Sequence, residues 1–229
     1  MVPAATDAAP VLALAPGSAT ITATAEGFQA DAHIDVANAE PLPFRVGAAS
    51  SSASFLPGTA CLGGYNLFCE REAEVEHDPL LAEAAAISGN GEGEGEGGFI
   101  LVKTSNVGYF VAYKAGNGPN GLYDIRQRIA RRLEARHGAV VISADQIVVT
   151  SDHSHHPPDT VGLWGGVSPA YMSRLAEAAV RAGVEAWERR VPARLYAGSI
   201  QGPPTAGSYN RPPTDAPDRE FRVLFAEDR

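Results

Sequence analysis

Three of the six histidines lie within four residues of one another, in the stretch SDHSHHPPDTVGLWGG at positions 151–166. His153 and His155 come shortly after the apolar run Ile147–Val149. In extended backbone, two residues separated by one other point to the same side, so this pair could act on one bound species. Imidazole is a favoured zinc ligand, and its pKa near neutrality also suits it to proton transfer. The pair could therefore share a metal ion, or divide metal binding and acid–base catalysis between its members.

Other polar groups surround this histidine pair. Asp152 and Asp159 flank it, and His156 follows it directly. Hydrolytic zinc sites need about three protein ligands and an open position for water, which is more than His153 and His155 supply. The alternative without chemistry is a polar surface loop whose histidines cluster beside prolines. On the residues alone, both interpretations stay open.

Alternating strand and helix patterns predict an α/β domain around the histidines. Strands are predicted at 44–50, 99–103, 147–149, 193–199 and 221–226, and helices at 123–137 and 168–190. Asp78 and Pro79 predict the cap and first turn of a further short helix. We expect the continuously apolar strand 99–103 to be buried on both faces. The alternation predicts a mixed, largely parallel sheet flanked by helices, with the histidines at the carboxyl end of a strand.

The first part of the chain has a different pattern. Small or apolar residues alternate with polar ones at 19–24 and again at 30–36, which predicts a β-hairpin. Residues 10–38 resemble the end of a bacterial immunoglobulin-like repeat, whose closing strands include one of the form PGxATITAT. We therefore expect a partial immunoglobulin-like β segment with a linker at 1–40, a hairpin remnant, and the α/β domain at 41–229.

Composition limits the classes of protein to which the chain can belong. With 229 residues, 45% of them apolar and 20% charged, the sequence is typical of a globular protein. Its net charge of −9 argues against a nucleic-acid partner and against simple electrostatic attachment to anionic lipid. No window approaches the roughly 20 apolar residues of a membrane-spanning helix. Cys61 and Cys69 are either two free thiols or a local disulfide, and their spacing does not decide between these.

Several segments together resemble the neutral/alkaline non-lysosomal ceramidase family. The run VISADQIVVTSDHSHHPPDTVGLWGG is similar to that family's metal-site segment, a strand followed by an HTHSGPDxxG-type loop. The segments FRVGAAS, LGGY, HDPLLAEAA, FILVKTSNVG and PARLYAGS agree with it in order and spacing. The resemblance covers the chain from about Phe44 to its end.

This resemblance implies a function and roles for particular residues. It implies a zinc-dependent hydrolase that cleaves the amide of ceramide, with His153 as a Zn²⁺ ligand and His155 as the catalytic partner beside it. The segment SYNRPP is similar to the family's NRSP stretch and makes Arg211 a candidate for orienting substrate. Asp152 and His156 depart from the family pattern, so with Asp159 they are assigned to shaping the loop rather than to binding metal.

The resemblance also carries expectations about the whole protein. The family's other zinc ligands and its nucleophilic serine would lie beyond residue 229, so we expect a fragment that is inactive alone. The substrate would be a ceramide-like amphiphile, with peripheral membrane contact possible. A secreted or cell-surface location is expected, with the leader outside this chain, while a cytoplasmic location stays open. Two other functions stay open: a metal-dependent hydrolase of another substrate on the same fold, and a non-catalytic, surface-attached binding module. The sequence does not give the oligomeric state.

Overall fold

A computed structural model describes residues 17–25, 28–36, 44–55, 58, 60–64, 69, 71–89, 97–109, 119–201 and 220–228. The strands are β1 (Gly17–Ala25), β2 (Phe28–Val36), β3 (Phe44–Ser52), β4 (Leu81–Gly89), β5 (Gly98–Thr104), β6 (Ile147–Ser151), β7 (Val191–Gln201) and β8 (Glu220–Asp228). The helices are α1 (Leu122–His137) and α2 (Pro169–Glu188). The chain forms two compact units, a larger one of Pro43–Ala193 with Asp228–Arg229, and a smaller one of Met1–Leu42 with Arg194–Glu227.

The sheet of the larger unit is mixed, and most of its pairs are antiparallel. β3 pairs with β4, and β4 with β5, in antiparallel register, and Val191–Ala193 of β7 add antiparallel to β3. β5 and β6 form the parallel pair, because α1 lies between them in the chain and returns the backbone to the same edge. The α/β class is therefore confirmed, but the expectation of a largely parallel sheet is wrong.

The error arises at β4, where the sequence predicts a helix after Asp78 and Pro79. Alanine favours helices in isolation, yet this alanine-rich segment is a strand whose Ala82 and Ala86 are completely buried. Small side chains let α2 come close to the sheet. At Gly47 of β3, an added methyl group would lie 2.2 Å from the carbonyl oxygen of Ala186 in α2. Tertiary packing against α2 therefore overrides local helix propensity here.

Both helices behave as their sequence patterns predict. In α1, the periodic residues Ile125, Ile129 and Leu133 are completely buried, and Gly138 ends the helix in a left-handed conformation with φ +72°. α2 begins at Pro169, and the hydroxyl of its cap Ser168 accepts a hydrogen bond from a first-turn amide. Arg128 and Arg132 of α1 donate hydrogen bonds to Glu177 of α2, and these bonds connect the two helices.

One face of the sheet packs under the helices and the other is partly open. In β5, Ile100 and Val102 are fully buried, whereas Phe99 and Leu101 are 41% and 39% exposed. The expectation that this strand is buried on both faces is therefore wrong for the described residues. Burial alternates along β5, but the sequence does not show this alternation. All residues of the strand except Lys103 and Thr104 are apolar or glycine, whichever face they lie on.

The smaller unit contains the predicted hairpin. β1 and β2 pair antiparallel along their full length, and the Thr22 hydroxyl donates a hydrogen bond to Asp31 across the pair at 2.6 Å. Ser199 and Ile200 of β7 pair with β2, and β8 pairs with β7. The likeness to an immunoglobulin-like repeat and the division at residues 40 and 41 stay predictions.

Candidate functional site

The histidine stretch begins with a turn that is built by Asp152. The Asp152 amide donates a hydrogen bond to the Thr104 carbonyl at 3.2 Å, and this bond connects the end of β6 to the end of β5. One carboxylate oxygen accepts from the Ser154 amide at 3.0 Å, and the other lies 3.4 Å from Lys103 Nζ. The turn places His153 at φ +58°, in the left-handed region. The histidines are therefore not in the extended backbone that the sequence suggested.

The turn nevertheless brings the rings of His153 and His155 together. Their centroids lie 5.1 Å apart and their planes are nearly perpendicular, at 83°. The Nδ1 atom of His153 lies 2.7 Å from the carbonyl oxygen of Val107. Because a carbonyl can only accept, Nδ1 carries the proton, and Nε2 of a neutral ring keeps its lone pair. Metal-binding histidines commonly have their second nitrogen held in this way.

His155 packs against Gly64 and lies near Trp164. A methyl group added at Gly64 would lie 1.6 Å from its Nδ1, so the ring rests directly on this backbone, and Gly64 itself has φ +88°. The Trp164 ring lies 6.3 Å from the His155 ring, at 51°. His156 is exposed. Neither Gly64 nor Trp164 is predicted as a site residue from the sequence, although they lie in the segments LGGY and SDHSHHPPDTVGLWGG.

Asp159 is the centre of the rest of the loop. It is completely buried, and four backbone amides donate to its carboxylate. The donors are Val161 at 3.1 Å and Gly162 at 2.8 Å on one oxygen, and Trp164 at 2.7 Å and Gly166 at 2.9 Å on the other. A buried carboxylate is costly unless such bonds compensate its charge. The arrangement fixes the course of the backbone next to His155.

A disulfide between Cys61 and Cys69 closes a loop that lies against this one. The Asp159 amide donates to the Cys61 carbonyl at 2.7 Å, and the Cys69 amide donates to the Trp164 carbonyl at 2.9 Å. Of the two states that the sequence left open, the structure has the bridged one. The cysteines are thus connected by hydrogen bonds to the loop that bears the histidines.

A buried polar network supports the loop from the side of β5. Asn106 Nδ2 donates to the Thr160 hydroxyl at 2.8 Å, and this hydroxyl donates to the Gly108 carbonyl at 2.6 Å. The Thr104 hydroxyl contacts both Asn106 and the phenol of Tyr109 at 2.9 Å. Burial raises the pKa of Tyr109 to about 12, which keeps the phenol protonated. The sequence signal for this network is the polar run TSNVGY, which directly follows an apolar strand.

The histidine side chains are of a type that binds zinc, but there are fewer of them than a zinc site needs. Among the described residues, no group of three or more His, Cys, Asp or Glu side chains could hold a metal ion. His153 offers an imidazole of suitable tautomer and His155 lies beside it, whereas the Asp159 oxygens are occupied by backbone amides. Arg211 lies outside the described residues. The described chain therefore presents at most part of a metal site.

Comparison with solved structures identifies the fold. A neutral ceramidase from Pseudomonas aeruginosa matches with a TM-score of 0.55 and 20% identity, over 71% of this chain and 24% of its own. A ceramidase complexed with C2 matches with a TM-score of 0.60 and 19% identity, over 82% of this chain and 29% of its own. This chain has a neutral ceramidase-like fold. It spans about a quarter of the length of these ceramidases.

The predicted resemblance to ceramidases is thereby confirmed at the level of fold. No protein-family model matches the sequence, and no curated protein matches it. Within the described part of the chain, no helix is long and apolar enough to cross a membrane. The histidine pair therefore lies in a chain that has a ceramidase-like fold.

Proposed function

We propose that this chain carries part of the active site of a zinc-dependent amide hydrolase that acts on a ceramide-like amphiphile. The observation that carries the proposal is the pairing of His153 with His155 after β6, in a chain with the ceramidase fold. Most of each solved ceramidase lies outside the matched part. The remaining ligands and the nucleophile would accordingly come from sequence outside this chain.

The two histidines would have different roles. His153 would bind zinc through Nε2, since its Nδ1 is already committed to the Val107 carbonyl. Bound zinc polarises an amide carbonyl and lowers the pKa of a hydroxyl or water. His155 would exchange a proton with the reacting groups, because its ring lies beside that of His153. Asp152, His156 and Asp159 would shape the loop, and Arg211 would orient the substrate.

The surroundings of the pair suit an amphiphilic substrate. Leu163 is half exposed, and Trp164, next to it, contacts His155, so apolar surface adjoins the histidines. Such a surface supports peripheral contact with lipid, as interfacial tryptophans do. The disulfide supports a secreted or cell-surface location, because oxidising compartments preserve such bonds.

Zinc binding by the chain is the first test. Titration with Zn²⁺ against a chromophoric chelator should give binding that is lost in His153→Ala and weakened in His155→Ala. His77→Ala is the matched control, because the side chain of His77 is 93% exposed and lies outside the loop. Equal zinc affinity in His153→Ala and the parent chain would remove His153 from the site.

Hydrolysis of a fluorescent short-chain ceramide is the second test. We expect negligible turnover by the chain alone and zinc-dependent turnover by the protein with its complete reading frame. In the latter, His153→Ala should reduce kcat/KM by at least about 10³-fold, the scale of losing a principal catalytic group. Unchanged turnover in that variant would overturn the assignment. Activity on a different amide or ester, but not on ceramide, would keep the metal site and change the substrate.

A further inference from the structure

The loop closed by the Cys61–Cys69 disulfide (the disulfide loop) and the stretch 151–166 that bears the histidines (the histidine loop) are joined by backbone hydrogen bonds. The bonds from the Asp159 amide to the Cys61 carbonyl and from the Cys69 amide to the Trp164 carbonyl lie at the two ends of the disulfide loop. Between them, the Gly63 amide donates to the Pro157 carbonyl at 3.2 Å. Three backbone hydrogen bonds thus hold the histidine loop against Cys61, Gly63 and Cys69.

Side-chain packing at the same contact leaves almost no free space. A methyl group added at Gly165 would lie 2.6 Å from Cys61 Sγ and 2.7 Å from Cys69 Cβ, so the backbone of the histidine loop rests on the disulfide itself. On the other side of the contact, the His155 ring rests on Gly64, which belongs to the disulfide loop. The disulfide therefore determines the surface on which His155 lies.

We propose that the Cys61–Cys69 disulfide is a positioning element of the histidine site, and that its reduction releases residues 157–167 together with the His155 ring. The inference rests on the proposed function only in treating His155 as a catalytic group. Without the bridge, Cys61 and Cys69 are no longer linked covalently, and the three hydrogen bonds that Cys61, Gly63 and Cys69 make to the histidine loop lose their fixed partners. The site would then be ordered in oxidising surroundings and disordered in reducing ones.

The step is an ordinary thiol–disulfide exchange with a dithiol. A thiolate of the reductant attacks the sulfur of Cys69, which is the less buried of the two cysteines, and Cys61 leaves as a thiolate. The second thiol of the reductant then attacks the mixed disulfide and closes a cyclic disulfide. Two electrons pass to the protein, the S–S bond is broken, and both protein sulfurs end as thiols after protonation.

Hydrogen exchange of the oxidised and reduced chain tests the proposal. Dithiothreitol is the reductant, and alkylation counted by mass spectrometry confirms that two thiols have formed. We expect amide exchange in 157–167 to rise at least about tenfold, whereas peptides from the core of α2 keep their exchange rates. The variant Cys61→Ser with Cys69→Ser should exchange like the reduced chain and should not respond to dithiothreitol.

A second readout separates positioning from general stability. Long-range ¹H–¹⁵N NMR of the histidine side chains should show a shift of His155 on reduction, with little change at His137, which lies on α1. Unchanged exchange in 157–167 with both thiols alkylated would overturn the proposal. Equal acceleration in α2, or a bond that dithiothreitol does not reduce, would overturn it as well. Neither readout uses a substrate, so failure of the chain or the whole protein to hydrolyse ceramide would leave this result standing.

Discussion

The imidazole of His153 donates a hydrogen bond from Nδ1 to the Val107 carbonyl oxygen at 2.7 Å. Val107 lies in the segment after β5, and His153 lies in the segment after β6, so the bond connects the ends of the two parallel strands. The contact fixes the ring of His153 through its protonated Nδ1. It leaves Nε2 as the atom through which His153 can act as a ligand.

The first prediction concerns the tautomer of His153. In its neutral form, His153 should have the Nδ1–H tautomer, because the Val107 carbonyl can only accept a hydrogen bond. His137 provides a contrast within the same protein, since its Nε2 lies 3.1 Å from a Glu188 carboxylate oxygen and should carry the proton. Long-range ¹H–¹⁵N spectra distinguish the two tautomers. An Nε2–H tautomer at His153 would contradict the proposed ligand atom.

The second prediction concerns Asp159. Asp159→Asn removes the charge and turns one acceptor oxygen into an NH₂ group that faces two backbone amides. We expect the free energy of unfolding to fall by about 3 kcal/mol, measured by urea denaturation. Asp145→Asn is the control, because that side chain is 98% exposed and its loss should change stability by less than about 0.5 kcal/mol. Equal stability of the two variants would show that the four amide bonds contribute little.

The third prediction concerns Gly64, on which the His155 ring rests. Gly64→Ala should destabilise the fold through its φ of +88° and through collision with the ring. Gly58→Ala should also be destabilised by its left-handed backbone, with φ +73°, but an added methyl group there meets nothing within 4 Å. We expect Gly64→Ala to cost about 1–3 kcal/mol more than Gly58→Ala in chemical denaturation. The His155 resonances should also shift in the first variant and not in the second.

The sequence indicated that His153 and His155 lie close together, but it did not indicate the geometry of their approach. A strand leading into clustered histidines was enough to place His153 and His155 together. Their actual approach depends on a left-handed residue, an Asx turn at Asp152 and contacts from residues near 64 and 107, about 45 to 90 positions away. Local pattern carries no information on such distant partners. The geometry of the pair therefore required the structure.

The same distinction between local pattern and distant partners applies to the fold. The periodic helices α1 and α2 were predicted because a single apolar stripe determines each of them. β4 was missed because its alanines favour a helix locally, and their strand conformation depends on pairing with β3 and β5 and on packing under α2. With β4 taken as a helix, β3 and β5 become two strands joined by a helix, an order typical of parallel pairing, whereas β4 in fact pairs antiparallel with both of them.

The last prediction concerns the pH dependence of stability where α1 and α2 meet. Arg132 and Arg128 donate to the Glu177 carboxylate at distances of 2.6–2.8 Å. The hydrogen bond from Arg132 lowers the pKa of Glu177 below its ordinary value of 4.5, and the charges of the neighbouring arginines add to the effect. A carboxyl whose pKa is lower in the folded state stabilises the fold above its unfolded pKa. This contribution is lost as the pH falls through the folded pKa.

Glu177→Gln should therefore lower stability at pH 7 and make little difference well below pH 4.5, the ordinary pKa of the group. The side chain of Glu177 is 39% exposed, so solvent screening should limit the loss at pH 7 to less than about 1 kcal/mol. Glu74→Gln, at an exposed position outside both helices, is the control and should leave the pH profile unchanged. Urea denaturation from pH 3 to pH 7, at low and high salt, measures the difference. Added salt should reduce the effect of Glu177→Gln because the pair is partly open to solvent, and a loss that persisted at pH 3 would assign the contribution of Glu177 to packing rather than to charge.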